Sequence, residues 1–83
     1  MLTISVKFIA FELTPGLKSG DYSIEDGATV LDLLDICEKK CGTTIPEENR
    51  KSLYPLFNSR PVRLETALTE NGVLYVCRSA MGG

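Results

Sequence analysis

Only one segment of this 83-residue chain carries the pattern of a long helix, and that limits the fold more than any other feature. In "EDGATVLDLLDICEKKCG", Val30, Leu33, Leu34, Cys37 and Cys41 fall at i, i+3, i+4, i+7 and i+11. They form one apolar stripe, with Ile36 at its margin. Thr29 is placed as N-cap with Asp32 three residues on, in the sense of a capping box, and Asp32 and Asp35 lie towards the positive end of the helix dipole. Lys39 and Lys40 sit in the last turn, and Gly42 is a natural stop. A lone amphipathic helix must bury its stripe against something, and the rest of the chain offers strands.

Leu2, Ile4, Val6 and Phe8 alternate with Thr3, Ser5 and Lys7, the period of a strand with one buried face. "TPGLKSGD" is dense in turn formers and "YSIE" alternates again, so the first two strands read as a long hairpin. After the helix, "TTIPEENRKS" predicts a connecting loop with at most one short helical turn. A strand at Leu53–Phe57, an Asn58-Ser59 turn and a short return strand at Pro61–Arg63 follow. Pro55 and Pro61 cannot donate ladder hydrogen bonds, which predicts edge or bulged positions for both. "TENG" is a further turn, and "VLYVCR" (Val73–Arg78) is the last strand. The order predicts an α+β fold: a mixed sheet of four to five strands covered by one main helix. That describes the β-grasp arrangement familiar from ubiquitin, in which the last strand is commonly central and beside the first, with residues 1–78 as the domain and residues 79–83 as a flexible tail.

The bulk numbers mostly exclude. The chain is long enough for one domain with one modest core. Its net charge is −2, and no basic cluster exceeds Lys39-Lys40 or Arg50-Lys51, so neither nucleic acid nor an anionic membrane is an expected partner. The apolar-leaning opening, "MLTISVKFIAFEL", is too short to span a bilayer, and three cysteines match no disulfide framework; both point to the cytoplasm. Histidine is absent, which removes the commonest general base and metal ligand and lowers every enzyme reading. Cys37 and Cys41 could offer two ligands from one helix face, but no second pair completes a metal site, and both read as small buried hydrophobes.

Five blocks carry a resemblance: "VKFIA", "GATVLDLL", "LFNSRPV", "TALTENGVLYV" and the closing "GG", in that order across essentially the whole chain. Together they resemble the MoaD/ThiS sulfur carriers. The resemblance implies a carrier rather than an enzyme, with no bound cofactor. A ubiquitin-activating-type adenylyltransferase of the MoeB/ThiF kind would use ATP to adenylate the Gly83 carboxylate. A sulfur donor would convert it to a thiocarboxylate, and a large synthase subunit of the MoaE kind, or another acceptor enzyme, would receive the sulfur in molybdopterin-type cofactor synthesis. Thiamine or another pathway, and a ubiquitin-like modifier joined through Gly83 to a lysine, stay open. The chain departs from the molybdopterin-type pattern in three places. Arg78-Ser79-Ala80-Met81 replaces a proline-bearing tail, Glu12-Leu13 stands where an arginine is often found, and Asn58-Ser59 replaces Asn-Gly.

The residues support such chemistry on their own terms. Gly82 and Gly83 have no Cβ, so a nucleotide and the walls of a narrow channel can approach their backbone closely. Five extended residues reach about 17 Å. In the last strand Leu74 and Val76 form one face and Tyr75 and Cys77 the other. The resemblance puts the Leu74/Val76 face in the core, which leaves Tyr75 and Cys77, with Phe57 beside them and Arg78 and Met81 following, as the expected partner-docking residues; a strand buried on both faces is the alternative. Arg60, Arg63 and Arg78 are either a basic rim of that patch or plain solvated charges.

Overall fold

The computed structural model describes residues 1–79. Strand β1 (Leu2–Phe8) buries Leu2, Ile4, Val6 and Phe8 in strict alternation, and β2 (Gly20–Ile24) buries Tyr22 and Ile24. The two pair antiparallel, from Leu2 opposite Ile24 to Val6 opposite Gly20. Helix α1 (Val30–Cys41) starts where the sequence places it. The Thr29 hydroxyl accepts the Asp32 N–H at 3.1 Å, and the Asp32 carboxylate accepts the Thr29 N–H at 3.0 Å, closing the capping box. Gly42 ends it at φ 68°, the left-handed conformation that costs glycine least. Two more first-turn donors are met from outside the helix: Val30 N–H reaches the Thr66 carbonyl and Leu31 N–H that of Leu64.

A one-turn helix, α2 (Glu47–Arg50), leads into β3 (Leu53–Phe57), β4 (Arg60–Pro61) and β5 (Gly72–Arg78). The sheet order is β2-β1-β5-β3-β4, with β1 and β5 parallel and every other pair antiparallel. The last strand is therefore central, flanked by the first. Val30, Leu33, Leu34 and Cys37 of α1 lie in one core with Ile4, Val6, Leu74 and Val76. Among the described residues no helix covers the sheet's other face.

Three expectations need correction. The return strand is Arg60–Pro61 rather than Pro61–Arg63. Its start follows from a two-residue turn in which Asn58 and Ser59 take φ 51° and 70°, the positive values of a tight hairpin, so Phe57 faces Arg60. Pro55 lies in an internal strand, between β4 and β5. It is tolerated because its carbonyl accepts the Val62 N–H at 3.1 Å; its donor-less side thus faces past the end of β4 and interrupts no bond to β5. Cys41 is only half-buried, unlike Cys37, because it lies at the helix end beside the β1–β2 loop.

Candidate functional site

The uncovered sheet face carries the exposed hydrophobic groups. Tyr75 is 39% exposed and Cys77 half-buried, alternating with the fully buried Leu74 and Val76. The β3–β5 register sets Tyr54 opposite Cys77 and Leu56 opposite Tyr75. Tyr54 is 43% exposed and Leu56 half-buried, so these four form one apolar strip. Ile9 and Phe11, both exposed, follow β1, where the Ile9 and Ala10 N–H groups both bond the Val76 carbonyl at 3.0 and 3.1 Å. Lys7, opposite Tyr75 in β1, supplies a positive charge beside the strip.

Phe57 is not part of it. Phe57 stands opposite Leu74 and is buried in the core, because alternation along β3 sends Leu53, Pro55 and Phe57 to the helix side. Tyr54 and Leu56 take the place expected for it. The sequence hid this because Leu53–Phe57 is apolar apart from the Tyr54 hydroxyl, so a period of two selects neither face.

Arg78 also alternates away from Tyr75 and Cys77. Its guanidinium bonds the Glu12 carboxylate at 3.3 Å, across 66 residues of chain. Of the two readings of Arg60, Arg63 and Arg78, the basic rim is not assembled. Arg78 pairs with Leu53 at one end of β3, while Arg60 pairs with Phe57 at the other. Beyond Arg78, the Ser79 N–H donates to the Ser52 carbonyl at 2.7 Å, extending the β3–β5 ladder by one bond. Met81, Gly82 and Gly83 lie outside the described residues.

The thiols fall into distinct environments. Burial, then the neighbouring Cys41, pushes the Cys37 thiol up to about 12. Cys41 Sγ accepts the Lys18 N–H at 3.4 Å and lies 3.5 Å from the Tyr22 hydroxyl, which donates to the Lys18 carbonyl at 2.7 Å. The Tyr22 contact, then the Lys18 N–H, lowers the Cys41 thiol. Burial, then Cys41, raises the Tyr22 hydroxyl. These groups stitch the β1–β2 loop to the helix end. Among the described residues no three histidine, cysteine, aspartate or glutamate side chains are placed to hold a metal ion, and no helix is long and apolar enough to cross a membrane.

No protein-family model and no curated protein matches the chain. Solved structures do. A Pyrococcus furiosus protein described as molybdopterin converting factor, subunit 1, superposes with a TM-score of 0.71 at 19% identity, over 96% of this chain and 100% of that one. Small archaeal modifier protein 1 of Haloferax volcanii superposes with a TM-score of 0.67 at 16% identity, over 96% and 100%. A chain from a crystal structure of ATBAG1 in complex with HSP70 matches at 0.61 and 8% identity, over 99% of this chain but 42% of its own length. At these identities the likeness is one of architecture, and with the central parallel pair, the single covering helix and the bare outer face it gives the chain its class: a β-grasp domain of the ubiquitin-like type.

Proposed function

We propose that this chain is a sulfur carrier whose reacting group is the carboxylate of Gly83. The observation that carries the reading is the placement of β5. The strand runs through the centre of the sheet, is bonded on both sides, and hands the chain on at Ser79, four residues before Gly83. Four extended residues reach about 14 Å, enough to bring a terminal carboxylate into a nucleotide site while the domain stays outside. Likeness to a protein described as molybdopterin converting factor, subunit 1, supports the same direction.

A carboxylate is a poor electrophile until one oxygen becomes a leaving group. In the proposed sequence a Gly83 oxygen attacks the α-phosphate of ATP in an activating enzyme, pyrophosphate leaves, and an acyl-adenylate forms. Hydrosulfide-level sulfur then attacks the carbonyl carbon and AMP leaves, giving the thiocarboxylate. The thiocarboxylate yields its sulfur to a cofactor precursor, molybdopterin-type first, in an acceptor enzyme. The protein is then a co-substrate working in the cytoplasm. Tyr54, Leu56, Tyr75, Cys77 and Ile9 supply the apolar docking face, and Met81 and Gly82 pass through the partner's channel.

Likeness to a small archaeal modifier protein favours a second reading, in which a lysine amine attacks the activated carbonyl and an isopeptide bond forms. Intact-mass analysis separates the two. After incubation with ATP, a sulfur source and an activating enzyme, the carrier reading expects the gain of one oxygen-to-sulfur exchange, located at Gly83. Removing Gly83 should abolish the gain and leave the melting temperature unchanged. An unaltered Gly83 with an enzyme competent on another carrier would overturn the carrier reading. Gly-Gly remnants on lysines of other proteins would favour the modifier.

A further inference from the structure

The departure of the chain from β5 is held on two sides, and one of the ties is ionic. On the β3 side the Ser79 N–H bonds the Ser52 carbonyl at 2.7 Å. On the β1 side the Arg78 guanidinium meets the Glu12 carboxylate at 3.3 Å. Glu12 stands on a braced turn. The Leu13 N–H bonds the Ala10 carbonyl at 2.9 Å, and the Thr14 hydroxyl, fully buried, donates to the same carbonyl at 3.2 Å. From α2, the Asn49 side-chain amide donates to the Leu13 carbonyl at 3.1 Å. Ala10 in turn is bonded to Val76 of β5. The turn that carries the acid is thus tied to the strand whose last residue the acid pairs with.

An ion pair this exposed, with side chains 49% and 63% accessible, adds little to global stability. Its effect is local to the end of β5. We infer that Glu12 is a positioning residue which, through Arg78, aligns the root of the terminal segment with β5. This sets the point and direction in which the chain leaves the domain at Arg78 and Ser79. The inference rests on the proposed reaction at Gly83. Restricting the root before docking removes part of the ordering cost of insertion, so it acts on encounter more than on chemistry at the carbonyl.

The test is a charge exchange read in two ways. Glu12→Arg and Arg78→Glu each place like charges together, and the double exchange restores an opposite pair in reversed order. In the chain alone, hydrogen exchange at the Ser79 amide should quicken about two- to five-fold in each single variant and return in the double, with the melting temperature unchanged throughout. In adenylation assayed by ATP–pyrophosphate exchange, the single variants should raise KM by a similar factor at constant kcat, and the double should recover. Unchanged exchange at Ser79 in the single variants, or no recovery in the double, overturns the alignment. Altered exchange at Ser79 with an unaltered KM overturns its role in docking. If the Ser79 pattern is as expected but the parent chain is not adenylated, the carrier reading fails while the hold on the root stands.

Discussion

Gly72 lacks a side chain where the Asn58 amide group needs the space. A Cβ built on Gly72 would overlap Asn58 Oδ1 and Nδ2. That amide is not free to swing away, because Asn58 Oδ1 accepts the Val73 N–H at 2.9 Å and the Asn58 N–H donates to the Val73 carbonyl at 2.9 Å. Gly72→Ala should therefore destabilise by about 0.5–1.5 kcal/mol in urea denaturation, the usual net worth of the hydrogen bond that Asn58 must give up. Cys37 gives a second prediction, in pH. Its thiol ionises near 9.0 when unperturbed and is pushed up to about 12 in the fold. Between those values the unfolded chain has released a proton that the folded chain keeps, so this contribution is full below pH 9 and declines as pH rises. The slope for one proton is about 1.4 kcal/mol per pH unit. Melts from pH 8 to 11 should show that decline, and Cys37→Ala should flatten it. That Asn58 tolerates positive φ was legible from residue type; that it fills the space beside Gly72 needed the strand register.

At the scale of elements, α2 is one turn long and cannot hold itself. It is held by Glu38, whose two carboxylate oxygens each accept from Arg50 Nη2 at 2.9 Å, while Oε2 also accepts the Ile45 N–H at 2.6 Å. Asp35 adds a contact at 3.2 Å, and the Glu38 bond is the main reason the Arg50 guanidinium is held more firmly charged than usual. Glu38→Ala strands the Ile45 donor and leaves the mostly buried Arg50 with Asp35 alone, and should cost about 2–3 kcal/mol in chemical denaturation. Glu38→Gln, which keeps an acceptor for Ile45, should cost less. None of this was visible in "TTIPEENRKS" beyond the short turn itself, because the partner charges lie on another element. α1 and β1 were legible because each has one wet face and one dry face, so its period states its orientation. β5 and β3 have no such contrast in sequence; the family resemblance oriented β5, and Phe57 was assigned to the wrong side.

The whole molecule is a sheet with one face covered by a helix and the other bare. The domain is small, with a radius of gyration of 11.5 Å, so a partner gripping the bare face touches a large part of it. On the proposed docking reading, Tyr75→Asp should weaken binding to an activating enzyme at least tenfold, the usual cost of losing an aromatic anchor, while the half-exposed position keeps the loss of stability small. Calorimetric titration beside a thermal melt would check both. A different consequence follows from the parallel pairing of β1 with β5, which joins Ile4 to Gly72 across the length of the domain. During synthesis the first strand leaves the ribosome long before its central neighbour exists. Until translation has passed Arg78, Ile4, Val6 and Phe8 wait without Leu74 and Val76, and a stalled or clipped chain presents that unpaired hydrophobic row to chaperones and proteases. Pairing between segments this far apart in sequence closes later than local contacts do. Among the described strands, the one that sits at the centre of the sheet beside β1 is thus the last to be made.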